Sequence, residues 1–188
     1  MQITIRGELV QITNEQRQAI DNLMRTYSAA KRYAFNRYND NLTSEDHLID
    51  NNLKKQLMET FGLNARYSYA AMMDVKEVIT SQRKLLPLEL KDIESKIGKP
   101  KRKLQKVKDR LRRKGIEARI KKLEKKRDFY KKHLKNGTIP HIIFGGKKIF
   151  RDLKNPDLSI EEREVARENW KDSRTNQLYS IGANIRTA

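Results

Sequence analysis

The sequence predicts an α+β fold that is mainly helical, with a long basic helical hairpin inside a helical insertion that interrupts a small antiparallel β domain. Three observations predict this fold. β-branched segments lie near both ends of the chain, helical periodicities fill the region between them, and positive charge is concentrated in one part of that region. The first strand, Ile3 to Ile12, cannot bury its face alone, so the C-terminal strands are its predicted partners.

The helical insertion begins after Thr13, a predicted N-cap with Gln16 at the capping-box position. Apolar residues then recur at three- and four-residue spacing, which predicts an amphipathic helix ending near Asn39. A shorter helix is predicted from Leu48 to Phe61, and Gly62 is predicted to end it because glycine adopts the left-handed backbone found after helix C-termini.

The basic hairpin is predicted between residues 88 and 135, after a longer helix that Pro87 interrupts. A break at Pro100 begins the first arm, and Gly115 lies at the centre of the predicted reversal. The second arm ends at Asn136–Gly137. Each arm has one narrow apolar face, which in the first arm consists of Leu104, Val107 and Leu111.

The pattern changes again after the hairpin. The stretch HIIFGGKKIF has apolar runs on both sides of Gly145–Gly146, which predicts a tight β-hairpin because two glycines supply the positive φ of such a turn. Ser159, with Glu162 at the capping-box position, predicts a helix to about Ser173. The final NQLYSIGANIRTA predicts a strand with a glycine break. The β domain is thus assigned to 1–12 and 138–188, and the helical insertion to 13–137.

The charge distribution favours a polyanionic partner. The formal net charge is +18, and the segment from Lys99 to Lys135 has nineteen Lys and Arg against four acids, so it holds +15 of that total. Such an excess favours nucleic acid first and an anionic membrane second. The chain has no run of 18 apolar residues and no signal-peptide pattern, so a cytoplasmic protein is expected. A membrane partner is not expected, because the apolar faces of the hairpin lack the Trp and Phe of a helix that lies in a membrane interface.

Two interpretations of the basic hairpin remain open, a phosphate-binding surface and a solvated coiled coil that binds an acidic protein partner. Coiled coils normally intersperse acids with bases to form pairs between helices, and here acids are scarce. Like charges four residues apart repel unless a polyanion relieves them, which favours nucleic acid. The predicted phosphate-binding residues are Lys101, Arg102, Lys103, Lys106, Lys108, Arg110, Arg112, Arg113, Arg119, Lys121, Lys122, Lys125, Lys126 and Arg127.

Two further groups of residues are predicted to contact nucleic acid. On the first helix, Arg32, Asn36 and Arg37 project away from the predicted core face of Tyr27, Ala30, Ala34 and Tyr38, and Asn suits adenine edges. At the start of a later helix, the free N–H groups and the helix dipole favour a phosphate. That second group consists of Asn64, Arg66, Tyr67 and Tyr69, for which a capping Asn with half-buried tyrosines is an equal alternative.

Catalytic motifs are missing from the sequence. His47, His133 and His141 share no metal-ligand spacing, and neither a phosphate loop nor a nucleophile elbow occurs. No catalytic residue, metal or other cofactor is therefore predicted for this chain.

The ordered set of motifs resembles a known family. AKRYAFNRYND, LNARYSYAAMM, the Lys-rich hairpin, IPHIIFGGKKIF and SRTNQLYSIGA follow one another as in the N-terminal half of TnpB/OrfB proteins, the transposases of insertion-sequence transposons. These proteins are similar to compact type V CRISPR effectors, and the resemblance covers nearly the whole chain. It implies an RNA-guided DNA endonuclease whose β elements form a wedge domain and whose helical insertion forms a recognition lobe.

The resemblance also implies partners and a limit. A guide RNA and the target DNA would be the partners, and Asn64, Arg66, Tyr67 and Tyr69 would contact the DNA motif beside the target. The protein would read that motif and duplex shape, while base pairing would read sequence. The chain stops where the RuvC-like nuclease domain of the family begins, so this chain alone is expected not to cut DNA.

Overall fold

The computed structural model of the protein describes residues 11–40 and 47–178. Six helices are present in those residues, and no strand is found among them. The prediction of a small antiparallel β domain is therefore wrong over the described chain. The helices are α1 Asn14–Asp40, α2 His47–Phe61, α3 Ala65–Lys106, α4 Arg110–Lys135, α5 Lys147–Leu153 and α6 Ile160–Thr175.

Part of the β prediction lies outside the described residues. That is the case for the first predicted strand apart from Gln11 and Ile12, and for the final stretch apart from residues 176–178. The described residues of both segments have no helix or strand.

The predicted β-hairpin at Gly145–Gly146 is replaced by a turn followed by α5. Both glycines have positive φ, 89° and 91°, but neither belongs to a strand. A Cβ at Gly145 would lie 3.0 Å from the Cβ of Arg174 and 3.1 Å from its backbone N, so the loop lies directly on α6. Ser173 Oγ also donates a 2.7 Å hydrogen bond to the Gly145 carbonyl. A short apolar run such as Ile149–Phe150 does not distinguish strand from helix.

The predicted helix termini at Thr13, Gly62 and Ser159 are confirmed. Thr13 and Gln16 form a reciprocal capping box, in which Gln16 N donates to Thr13 Oγ1 at 3.2 Å and Thr13 N donates to Gln16 Oε1 at 2.9 Å. Ser159 and Glu162 form a second capping box before α6. Gly62 follows α2 with a φ of 63°, as predicted for a glycine that ends a helix. The sequence predicts these termini because a cap depends on residues that are neighbours along the chain.

The described chain divides into two compact units. The first takes its residues from 1–33, 52–71 and 143–188, and the second from 34–51 and 72–142. In the first unit, Tyr27 of α1 is fully buried against Ala70 and Ala71 of α3. Its ring meets that of Tyr67 edge to face, with 6.5 Å between centroids. In this way α1 and the start of α3 are packed together.

The second unit contains the α3–α4 hairpin. Near its base, Asp50 of α2 accepts a 2.7 Å hydrogen bond from Tyr38 Oη and forms an ion pair with Lys76 of α3. α3 continues without interruption through both prolines, so the predicted breaks at Pro87 and Pro100 are wrong. Proline removes one backbone donor from a helix, but packing of an amphipathic face supplies most helix stability in proteins. The buried α3 residues of this unit are Met72, Val75, Ile79, Leu86, Ile93, Ile97 and Pro100.

The reversal of the hairpin lies at residues 107–109, and not at Gly115 as predicted. Asp109 is the N-cap of α4, and its Oδ1 accepts a 2.7 Å hydrogen bond from the backbone N–H of Arg112. An aspartate N-cap satisfies an otherwise unpaired helix donor, whereas a glycine within a helix is tolerated at a modest cost. Gly115 therefore lies inside α4, and Leu111 falls on a different helix from Leu104.

Candidate nucleic-acid interface

Contacts between side chains of α3 and α4 establish that the two helices run antiparallel. Lys101 Nζ lies 2.8 Å from Glu124 Oε1, and Lys131 Nζ lies 3.2 Å from Glu94 Oε1. Later residues of α4 thus meet earlier residues of α3. Farther along, burial and the nearby carboxylate of Glu89 raise the pKa of Tyr130 to about 12.

One stripe of α4 faces α3, and we call it the seam. Its positions recur at alternating four- and three-residue steps, as in helices that pack side by side. Ile120, at its centre, is only 7% exposed. The seam residues are Ile116, Ile120, Leu123, Arg127, Tyr130 and Leu134.

Arg127 differs from the other predicted phosphate contacts because it is a seam residue. It is half-buried, and its guanidinium lies 2.8 Å from Asp128 Oδ1. The hydrogen bond to Asp128 raises the pKa of Arg127, and the charges of Asp128, Glu124 and Glu94 raise it further. Its charge is thus already matched within the hairpin.

The other thirteen predicted phosphate contacts of the hairpin are exposed. They lie on α3 from Lys101 to Lys106, at Lys108 in the reversal, and on α4 from Arg110 to Lys126. The structure therefore gathers these side chains on the solvent-facing sides of one helical hairpin, although they are spread over 26 positions of sequence from 101 to 126.

A row of lysines lies on the side of α4 opposite the seam, and we call it the outer stripe. It consists of Lys114, Lys121, Lys125 and Lys132, all exposed. Their spacing of seven, four and seven residues keeps them on one face, because a helix turns every 3.6 residues. At 1.5 Å per residue the row extends about 27 Å. None of the four forms an ion pair with a described residue.

Lys121 and Lys125 are among the phosphate contacts predicted from the sequence, whereas Lys114 and Lys132 are not. The signal that could have identified them is their spacing, because Lys114 lies seven residues before Lys121 and Lys132 lies seven residues after Lys125. That signal becomes usable only when the start of α4 is known, since a reversal at Gly115 would have placed Lys114 on the other arm.

The acids of the segment are already engaged. Between residues 99 and 135, Glu124 pairs with Lys101, Glu117 with Arg113 at 4.0 Å, and Asp128 with Arg127. The fourth acid, Asp109, caps α4. The remaining cations of the hairpin therefore have no further carboxylates within the segment to offset their charge.

The predicted contact residues on α1 have different environments. Arg32 is half-buried, and its Nη1 donates a 3.1 Å hydrogen bond to the Arg174 carbonyl. Burial lowers the pKa of Arg32, and the nearby charge of Arg174 lowers it further. Two more α1 residues hold the same segment, since Ser28 Oγ and Lys31 Nζ both donate to Gln177. Asn36 and Arg37 are exposed.

The residues that open α3 also divide into two kinds. Asn64 caps the helix, with its Oδ1 accepting a 2.9 Å hydrogen bond from Tyr67 N, and Tyr67 is half-buried against Tyr27. These two side chains have structural roles. Arg66 and Tyr69 are exposed and remain accessible to a ligand.

A separate concave surface lies between α5 and α6 in the first unit. It encloses about 420 Å³ and is lined by Ile149, Asp152, Ala166, Asn169, Asp172, Ser173 and Asn176. Its two carboxylates repel phosphate, so it does not extend the basic interface. Across the described residues, no group of three or more His, Cys, Asp and Glu is placed to hold a metal ion. No described helix is long and apolar enough to cross a membrane.

Comparison with protein families places the hairpin inside a recognised domain. A family model described as the SSO2105 N-terminal domain matches residues 2–155. The chain belongs to this family. The SSO2105 N-terminal domain match contains α1 to α5 and hence the whole hairpin, whereas α6 begins after it. No curated protein and no solved structure matches the chain.

Proposed function

We propose that the protein binds nucleic acid, and that the solvent-facing sides of the α3–α4 hairpin are its phosphate-binding surface. One observation carries this proposal. The four acids between 99 and 135 are engaged in ion pairs or a helix cap, while the outer stripe and most of its neighbouring cations have no such partner among the described residues.

Electrostatics explains why such a surface favours nucleic acid. Like charges one helical turn apart, such as Lys121 and Lys125, destabilise an isolated helix. A polyanion removes that repulsion and releases its own condensed counterions, which makes binding strongly dependent on salt. Contacts of this kind supply affinity without reading sequence.

The test is salt-dependent binding of the full chain to structured RNA and to duplex DNA. A protein that contacts Z phosphates has a log–log slope of about −0.7Z to −0.9Z. Replacing the outer stripe (Lys114→Gln, Lys121→Gln, Lys125→Gln and Lys132→Gln) should weaken binding to every sequence and flatten the slope by about 3.

A matched control removes the same charge elsewhere. Lys55→Gln, Lys84→Gln, Lys147→Gln and Lys148→Gln alter four exposed lysines outside the region from 99 to 135. This variant should keep most of the wild-type slope. Equal losses in both variants would indicate a response to net charge alone. Tight binding of an acidic protein with no salt-sensitive binding of nucleic acid would replace the proposal with the alternative partner.

In its finer form, the proposal follows the resemblance to TnpB/OrfB proteins. The chain would be the part of an RNA-guided DNA endonuclease that binds a guide RNA and target DNA in the cytoplasm. The exposed Arg66 and Tyr69 support a contact with the DNA motif, because both side chains are accessible at the start of α3. Co-purification of a discrete RNA with the expressed chain is the experiment that tests this form.

A further inference from the structure

The tip of the hairpin, residues 106–113, exposes one large apolar side chain among cations. Leu111 is the second residue of α4, and 79% of it is exposed. The sequence pattern assigns it to the apolar face of the first arm. Because the chain reverses before it, Leu111 lies instead on a side of α4 that faces away from the seam.

Hydrogen bonds hold the tip in a defined conformation. Asp109 receives the backbone N–H of Arg112 on its side chain and that of Arg113 on its carbonyl, at 2.7 and 3.0 Å. The Arg113 guanidinium also reaches back to the Val107 carbonyl at 3.4 Å. Leu111 is therefore presented by the ordered first turn of a 26-residue helix.

Positive charge accumulates around Leu111. The first turn of α4 contains no acid, although acids are favoured there by the positive end of the helix dipole. It carries Arg110, Arg112 and Arg113 instead, next to Lys106 and Lys108. The carboxylates of Asp109 and Glu117 offset part of this charge, because Asp109 caps the helix and Glu117 lies 4.0 Å from Arg113. The remaining four cations of the tip form no ion pair with a described residue.

The surface beside Leu111 is nearly bare, which supplies a second, independent observation. Gly115 lies one turn farther along α4, and a Cβ there would meet no other atom within 4 Å. Its φ is not positive, and among the described residues neither backbone conformation nor crowding requires glycine at this position. Because glycine has no Cβ, another molecule can approach the helix backbone closely at this position.

We propose that the hairpin tip inserts Leu111 between bases at an interrupted step of bound nucleic acid, while the surrounding cations hold the flanking phosphates. Apolar side chains used in this way partly unstack the bases they separate. The inference rests on the proposed nucleic-acid binding and adds to it a preference for sites where stacking is already weakened.

Two other occupants fit the tip less well. One leucine side chain is much shorter than the acyl chain that by itself gives only marginal membrane binding, and the tip has no aromatic residue to assist it. A protein pocket for Leu111 would need an acidic rim wide enough to face five cations. Both occupants give distinct results in the experiment below.

The experiment uses the full chain and two short duplexes that carry 2-aminopurine, a base analogue that becomes brighter when unstacked. One duplex is fully paired, and the other has an unpaired adenine next to the analogue. The wild-type protein should brighten the second duplex and prefer it about tenfold. Leu111→Ala should lose both effects and keep the salt slope. Leu88→Ala, which alters a leucine that is 63% exposed on α3, should change neither.

Each remaining result has a defined meaning. A second variant, Leu111→Lys, should bind at least as tightly as wild type yet fail to brighten the analogue, and circular dichroism should show both variants folded because the site is exposed. If Leu111→Ala brightens the interrupted duplex like wild type, the insertion is wrong while salt-dependent binding still stands. Absence of all nucleic-acid binding overturns both proposals. Loss of vesicle binding in Leu111→Ala, without any change in the analogue, identifies an anionic membrane instead.

Discussion

Lys101 of α3 and Glu124 of α4 form an ion pair across the basic hairpin, with 2.8 Å between Nζ and Oε1. The pair removes one of the few acids of the segment from the solvent-facing surface. It also holds the two arms together near the tip, where the side chains on either side are almost all cationic. The same contact therefore stabilises the hairpin and leaves its outer charge unbalanced.

Glu124→Gln should weaken the hairpin and strengthen polyanion binding. Surface ion pairs contribute about 0.2–1 kcal/mol to stability, so the substitution should lower the free energy of unfolding by an amount in that range. The freed Lys101 becomes an added phosphate contact, which should steepen the log–log salt slope by about 0.7 to 0.9. Denaturant unfolding and salt titrations measure the two effects. Glu168→Gln breaks a comparable pair with Lys171 on α6 and should leave the slope unchanged.

Gly115→Ala should stabilise the protein because alanine is the better helix former and the added Cβ meets open space. We expect a gain of about 0.5–1 kcal/mol in the free energy of unfolding, measured with urea. Gly62→Ala should have the opposite effect, since Gly62 has a φ of 63° that alanine adopts only with strain. A loss of stability in Gly115→Ala would show that the backbone at 115 needs glycine within the chain itself.

Tyr130 should be a late-titrating phenol. Burial, followed by the hydrogen bond to Glu89 and the charge of Glu89, raises the pKa of Tyr130 to about 12. The folded state thus holds the phenol proton more tightly than the unfolded state, where the pKa is about 10. This contribution to stability is complete below about pH 10 and is lost as the pH rises to about 12.

Absorbance of the phenolate during an alkaline titration checks this prediction. Tyr130→Phe should remove one late-titrating phenol. Glu89→Gln should keep that phenol but lower its pKa, since burial remains and the negative charge is gone. If Tyr130→Phe instead removed a phenol that titrates near pH 10, and Glu89→Gln left the curve unchanged, the contact between Tyr130 and Glu89 would not form in solution.

Arg66→Gln and Tyr69→Ala should change which DNA motif is selected, as the TnpB resemblance implies. Both side chains are exposed, so the substitutions should leave folding intact. Selection from a DNA library with a randomised flank, using the complex with its RNA, measures the preference. The control is Tyr67→Phe, which preserves the ring packed against Tyr27. A uniform drop in binding to all motifs would assign Arg66 and Tyr69 to general affinity.

The sequence predicted features that depend on residues close together in the chain, and failed for features that depend on residues far apart. Thr13 with Gln16, and Ser159 with Glu162, identified helix starts because a capping box needs only residues three apart. Gly145–Gly146 misled the prediction because positive φ suits a β-turn and also suits a loop lying on another helix. The close approach to Arg174, 29 positions away, decides between them, and periodicity carries no information about it.

The candidate site shows the same division. The positions of Lys and Arg in the sequence located the excess positive charge between Lys99 and Lys135 and favoured a polyanionic partner. Which cations lie together outside, and which lie in the seam, depends on where the chain turns. Arg127 and Lys121 have equal formal charge, yet one is half-buried beside Asp128 and the other belongs to the outer stripe.

The amino-acid sequence by itself determined the helix caps, the amphipathic periodicities and the concentration of charge, since each is a property of neighbouring residues. Only the tertiary structure decided that α3 continues through Pro87 and Pro100, that Asp109 begins α4, and that the GG segment leads into a helix. The environment of Leu111 depended on both the local sequence and the tertiary structure. Local spacing marked it as apolar and helical, but the long-range pairing of α3 with α4 left it exposed at the tip. Burial depends on which surfaces meet, and that requires contacts between residues far apart in the chain.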